Sequence, residues 1–230
     1  MDRFEAYTAE HFALIALFVL GAVAVVLIGR SHAGTAREEQ FRRGFAVVML
    51  SVNVVGQLMQ FTPSEWDRET SLPLHLSDLA WMVGVVALWT RSPRWSTVVY
   101  LWGLTMSLQG IVTPSLDETF PEPRYFLFWA MHMLTIWAAL YLVAGLRVPP
   151  TGYWATLIVT LAWAVAVGTF NQIASTNYGY LDHKPASGSL LDLMGPWPVY
   201  LGVATVILMA IWALLVWPWL RHPRPDAQPR

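Results

Sequence analysis

Seven apolar runs, each close to the length that crosses a lipid bilayer, divide this sequence, and prolines or charges stand between them. A helical span needs about 17–25 predominantly apolar residues. The runs fall at about 12–29, 44–62, 72–90, 95–113, 124–145, 151–174 and 196–217. Pro63, the Arg91-Ser-Pro turn, Pro114, Pro121 and Pro123, the Pro149-Pro150 pair and Pro218 sit between or after them, where helices break. Pro73 is expected in the first turn of the third span, where a missing N–H matters little.

Composition agrees. Of 230 residues 56% are hydrophobic and only 13% charged, against about 25% charged in a soluble domain. The fold class is therefore all-α, a seven-transmembrane-helix bundle forming one integral membrane domain over 1–230. A cell-membrane, multi-pass location follows. The first span is preceded by Asp2, Glu5 and Glu10 rather than a positive n-region, so it reads as a retained helix and not a signal peptide. There is no cysteine, which excludes disulfides and thiol catalysis. A net charge of −1 without a basic cluster argues against nucleic acid as a partner.

Orientation follows the lysines and arginines. With the N-terminus outside and the C-terminus cytoplasmic, Arg30, Arg37, Arg42, Arg43, Arg91, Arg94, Arg147, Arg221, Arg224 and Arg230 lie inside. Only Arg3, Arg68, Arg124 and Lys184 lie outside, where eleven of the fifteen carboxylates also fall.

On that topology the polar residues within the spans gather in the outer half. Asn53, Gln57 and Gln60 share one face of the second span, at i, i+4 and i+7. His75, Ser77 and Asp78 lie roughly 5–9 Å below the outer end of the third, at 1.5 Å per residue. Gln109 is near the outer end of the fourth span, His132 about 12 Å down the fifth, and Asn171 and Gln172 near the end of the sixth. Ionisable groups in lipid are expensive and usually functional. Amides such as these also serve as glue between helices. Taken together they point to a polar cavity walled by spans two to six, with Asn53, Gln57, Gln60, Gln109 and Asn171 as substrate-binding candidates. The loop from about 175 to 195 is long enough for a lid, and Asn177, Tyr178 and Lys184 belong to it. Lys184 and Arg124, at the outer mouth, suit a lipid phosphate.

A hydroxyl nucleophile needs a base within reach and a third group to orient that base. Ser77 is the candidate nucleophile. It points roughly 160° away from His75 around the helix, so His132 is the better-placed base. Asp78 or His75 is the orienting partner. Two imidazoles and a carboxylate (His75, Asp78, His132) also make a metal site conceivable. Without a tight motif, and with no histidine in the last span, metal ranks below the dyad, and no cofactor is expected.

Three stretches carry more. SLPLHLSDLAW, the histidine of FLFWAMHML, and NYGYLDHKPASGSLLDLMGPWPVY together resemble the YwaF-like family of bacterial integral membrane proteins. The resemblance spans about residues 45–205. That family is similar to a eukaryotic membrane protein regarded as a phospholipid acyltransferase, acting on ether lipids through a cysteine and a histidine. The resemblance places the cysteine at Ser77, within LPLHLSD, and the histidine at His132. Serine replaces cysteine here, and serine depends more on its base. On the sequence, a lipid acyltransferase or acyl hydrolase stands first, with membrane lipids as partners. A non-catalytic binder or transporter of a small polar solute or lipid headgroup stands second, and a structural partner of another membrane protein third.

Overall fold

The computed structural model describes residues 4–114, 116–185 and 189–221. Arg3, Arg224 and Arg230 of the charge pattern lie outside them, as do positions 186–188 of the long loop. Among the described residues the fold is all-helical, with seven rods. These are α1 (Ala9–His32), α2 (Ala36–Gln60), α3 (Leu76–Thr90), α4 (93–112), α5 (Pro123–Gly145), α6 (Tyr153–Ala174) and α7 (Val199–Arg221). α4 carries a π-helical stretch at Gly103–Ser107 and α5 closes with another at Tyr141–Gly145. Four rods, α1, α5, α6 and α7, are long and apolar enough to cross a membrane by length and composition.

α5 is the central rod. In its most apolar stretch 56% of residues are buried, against 11% in α1, 11% in α6 and 17% in α7. Those three peripheral rods expose Leu20, Ile158, Leu161, Val206 and Leu214, among others. In water such a surface would aggregate, and in lipid it is the solvated face. The interior core is built by α3, α4 and α5, with Leu88, Val99, Leu101, Trp102, Tyr141 and Leu142 fully buried. α1 meets α5 at two glycines: a Cβ on Gly29 would stand 2.7 Å from the Gly145 Cα. Small residues permit this backbone approach between membrane helices.

The rods alternate in direction, giving the bundle two ends. One, the turn end, has the short connections 32–36, 90–93 and 145–153. Here Glu38 pairs with Arg91 at 2.9 Å. Arg42 donates to the Leu88 carbonyl and, at 2.6 Å, to that of Trp89, satisfying the last turn of α3. The other, the loop end, carries 61–75, 113–122 and 175–198.

Three boundaries differ from the sequence expectation. α2 starts at Ala36 rather than 44, because its charged first turns are stabilised by Arg91 and by the end of α3 rather than by lipid. α7 runs through Pro218 to Arg221, since a proline in the last turn removes only one ladder bond. α3 starts at Leu76 rather than 72, so Pro73 lies before the helix. Its amino end is set by Asp78, whose carboxylate accepts the His75 N–H at 3.0 Å.

Candidate functional site

The segment before α3, residues 71–75, is a non-helical run of bends whose remaining polar groups would be orphaned in lipid. Side chains from three other elements satisfy them. Gln57 Nε2 donates to the Ser71 carbonyl at 2.7 Å. Trp163 Nε1 donates to the Leu74 carbonyl at 2.9 Å. The Tyr178 hydroxyl accepts the Leu72 N–H at 3.0 Å and donates to the Arg68 carbonyl at 2.7 Å. Burial holds the Tyr178 phenol above its ordinary pKa, so it stays protonated and able to donate.

The long loop is strapped to the same segment. Buried Asn171 donates to the Tyr178 carbonyl at 2.9 Å and accepts from the Tyr178 N–H and the Thr176 hydroxyl at 2.9 and 3.0 Å. Asn177 binds the His183 carbonyl at 2.8 Å and accepts from the N–H groups of Asp182 and His183. The Gly179 N–H reaches His75 Nδ1 at 3.3 Å, and the His75 ring lies 5.1 Å from that of Tyr178. Gly179 has φ +68°, and a Cβ there would meet the Trp163 ring at 2.4 Å, so only glycine passes beneath that indole.

The amides therefore do not line the expected cavity. Asn53 bonds within its own helix to the Met49 carbonyl, Gln109 is exposed, and Gln60 is half-buried. Gln57, Asn171, Asn177 and Tyr178 fasten backbone to backbone. Of the two mouth cations, Lys184 lies 3.7 Å from Asp192 and Arg124 holds Glu65 and Glu118 at 2.6 and 3.0 Å. Asp78 caps α3 and His75 takes a loop amide, so neither is bonded to the His132 imidazole as an orienting partner. Among the described residues, no three histidines, aspartates or glutamates gather in metal-ligating range.

Ser77 and His132 are left. The helix threonines Thr97, Thr105, Thr135, Thr156 and Thr160 each return their hydroxyl to the carbonyl four residues back. Ser77 does not. It sits second in α3, where the carbonyl four back belongs to Pro73, outside the helix, and its Oγ has no hydrogen-bond partner among the described residues. The amides of Leu76 and Ser77 also lack an acceptor there, whereas those of Asp78 and Leu79 bond to the His75 carbonyl.

His132 is 7% exposed, with Nδ1 2.8 Å from the Phe128 carbonyl. A carbonyl only accepts, so in the neutral ring Nδ1 carries the hydrogen and Nε2 presents a lone pair. Nε2 has no partner among the described residues. Ser77 and Thr90 are as far apart in sequence as His132 and Gly145, so at about 1.5 Å per residue both stand roughly 20 Å from the turn end. α3 packs directly against α5.

A sequence model of a known family matches residues 6–216, which takes in six rods whole and α7 as far as Val216. The chain belongs to the TMEM164 family. No curated protein and no solved structure matches it. The family assignment and the apolar rods together make it a membrane protein, and the TMEM164 match covers both Ser77 and His132.

Two groups in this TMEM164-family chain escaped the sequence reading, one buried and one half-buried. His11 is fully buried, but Nδ1 accepts the Tyr7 N–H at 2.9 Å and Nε2 lies 2.8 Å from the Ile111 carbonyl, so both nitrogens are engaged. Its position just ahead of the first apolar run was the available signal. Gly110 abuts the His132 ring, and nothing in the local sequence distinguishes it from an ordinary span glycine.

Proposed function

We propose that this chain transfers or hydrolyses the fatty-acyl groups of membrane lipids, with Ser77 as nucleophile and His132 as general base. One observation carries the reading: the hydroxyl left uncommitted at the start of α3 lies at the depth of an imidazole whose Nε2 is left as an acceptor. The resemblance of LPLHLSD and of the fifth-span histidine to the YwaF-like pattern supports the same pair. Against a non-catalytic binder, the amides that would suit one are satisfied by backbone or turned outward.

The Ser77 oxygen attacks the ester carbonyl as its proton passes to His132 Nε2. The tetrahedral oxyanion falls to the free amides of Leu76 and Ser77, at the positive end of the α3 dipole. Collapse expels the lysolipid alkoxide, which takes the proton from the imidazolium and leaves an acyl-serine. Attack by water then releases a fatty acid, whereas attack by a lipid hydroxyl completes a transfer. The excess of arginine at the turn end supports a cytoplasmic position for that end, which would set this chemistry in the outer half of the membrane.

Purified protein in vesicles, given phospholipid with a labelled acyl chain, is expected to release labelled fatty acid or labelled acyl acceptor. Mass spectrometry should find the acyl group on Ser77. No turnover with any phospholipid, or turnover unchanged in both Ser77→Ala and His132→Ala, refutes the assignment.

A further inference from the structure

The surroundings of His132 are more restrictive than those of a histidine merely packed in a helix bundle. Nδ1 is anchored on its own helix by the Phe128 carbonyl, and the Phe128 ring lies 4.4 Å from the imidazole, centre to centre. The third wall is α4. A Cβ built on Gly110 would stand 2.3 Å from His132 Cδ2 and 2.4 Å from Nε2. Real side chains do not approach so closely, and the obstruction is a planar ring already held at its other edge.

The contrast with other glycines is informative. A Cβ on Gly56 would meet only Leu127 at 3.7 Å, an ordinary contact with a flexible side chain, and one on Gly44 would meet nothing within 4 Å. At Gly110 the missing side chain is occupied space, filled by the edge of the imidazole that carries Nε2.

We infer that Gly110 is a positioning residue: its bare backbone forms the seat of the His132 ring and, with the Phe128 carbonyl, fixes which nitrogen faces the reaction and where it points. This deepens the Ser77–His132 assignment and rests on it. Acyl transfer needs the base within hydrogen-bond reach of the nucleophile. A methyl at position 110 pushes the ring by about an ångström or tilts it off the Phe128 carbonyl. Misplacement on that scale lowers turnover about 100-fold.

The test is Gly110→Ala in the full chain in nanodiscs, with Gly56→Ala as control. Turnover of labelled phospholipid should fall about 100-fold in kcat with KM nearly unchanged, while Gly56→Ala keeps wild-type turnover. Nitrogen NMR of 15N-histidine-labelled protein should show His132 protonated at Nδ1 in the wild type, with that signal shifted or split in Gly110→Ala. A double-mutant cycle in thermal unfolding reads the same contact without activity. Gly110→Ala lowers the midpoint, and His132→Ala, by removing the obstruction, restores Gly110→Ala to the level of His132→Ala alone.

If wild-type protein turns over no lipid, the acyl-transfer assignment fails. The NMR signal and the unfolding cycle still decide whether Gly110 seats the ring. If Gly110→Ala keeps wild-type turnover and an unshifted His132 signal, or if the two substitutions add without coupling, the inference is overturned. Should Gly110→Ala not fold, recovery of folding in the double variant sustains the inference and continued failure to fold overturns it.

Discussion

Removing the Asn171 side chain tests whether the loop end is a closed strap or an open cavity mouth. Asn171 is 2% exposed and makes three hydrogen bonds to 176–178, whose Tyr178 is fully buried. In Asn171→Ala the Thr176 hydroxyl can rotate toward another acceptor, but the Tyr178 N–H and carbonyl cannot. Leaving a buried polar group unpaired costs about 1–3 kcal/mol, so two give about 3–4 kcal/mol after allowing for non-additivity. Little apolar contact changes, so the loss falls on the strap and not on the bundle. At 1.4 kcal/mol per factor of ten, 3 kcal/mol raises the strap's opening population roughly 100-fold. Hydrogen exchange with mass spectrometry should then show that much faster exchange in peptides covering 175–185 and 68–76, with α1 and α5 peptides unchanged. Unchanged strap exchange refutes the reasoning. Equal acceleration across all helices also refutes it, because Asn171 would then be holding the bundle rather than the loop.

Three further substitutions test the packing and the nucleophile. Gly29→Ala should destabilise by about 1–3 kcal/mol in a detergent unfolding assay, since its Cβ meets Gly145 backbone that has no side chain to move aside. Gly44→Ala, in open space on α2, should be neutral or stabilise by about 0.5–1 kcal/mol. Ser77→Cys should turn over phospholipid at least as fast as wild type and form a hydroxylamine-labile acyl-thioester, because a thiol is the better nucleophile at neutral pH. Loss of turnover in Ser77→Cys with retained folding counts against nucleophilic attack at this position.

The all-helical membrane class and the seven rods were legible in the residues because they answer to solvent. An apolar run of bilayer length has one low-energy home, and an unpaired backbone in lipid has one remedy, the helix. Pro149-Pro150 and the Arg91-Ser-Pro turn marked real breaks for the same local reason. LPLHLSD and the histidine of FLFWAMHML were the stretches that singled out the proposed pair, Ser77 and His132.

What each polar group does was not legible, because its partner lies far away in sequence. Asp78 looked like a partner for an imidazole and instead caps a helix, which moves the start of α3 to Leu76 and places Ser77 in the first turn. Gln57, Asn171 and Tyr178 looked like the lining of a cavity. They are spent on Ser71, Leu72, Arg68 and the loop's own backbone, because a non-helical stretch beside lipid must find every hydrogen bond within the protein. The run of residue types determined that this chain spans lipid as helices and which few side chains would be costly there. Only the tertiary structure decided which of them are already satisfied, since a hydrogen bond closes in space. By that accounting, Ser77 Oγ and His132 Nε2 have no hydrogen-bond partner among the described residues, and the proposed acyl chemistry rests on that pair.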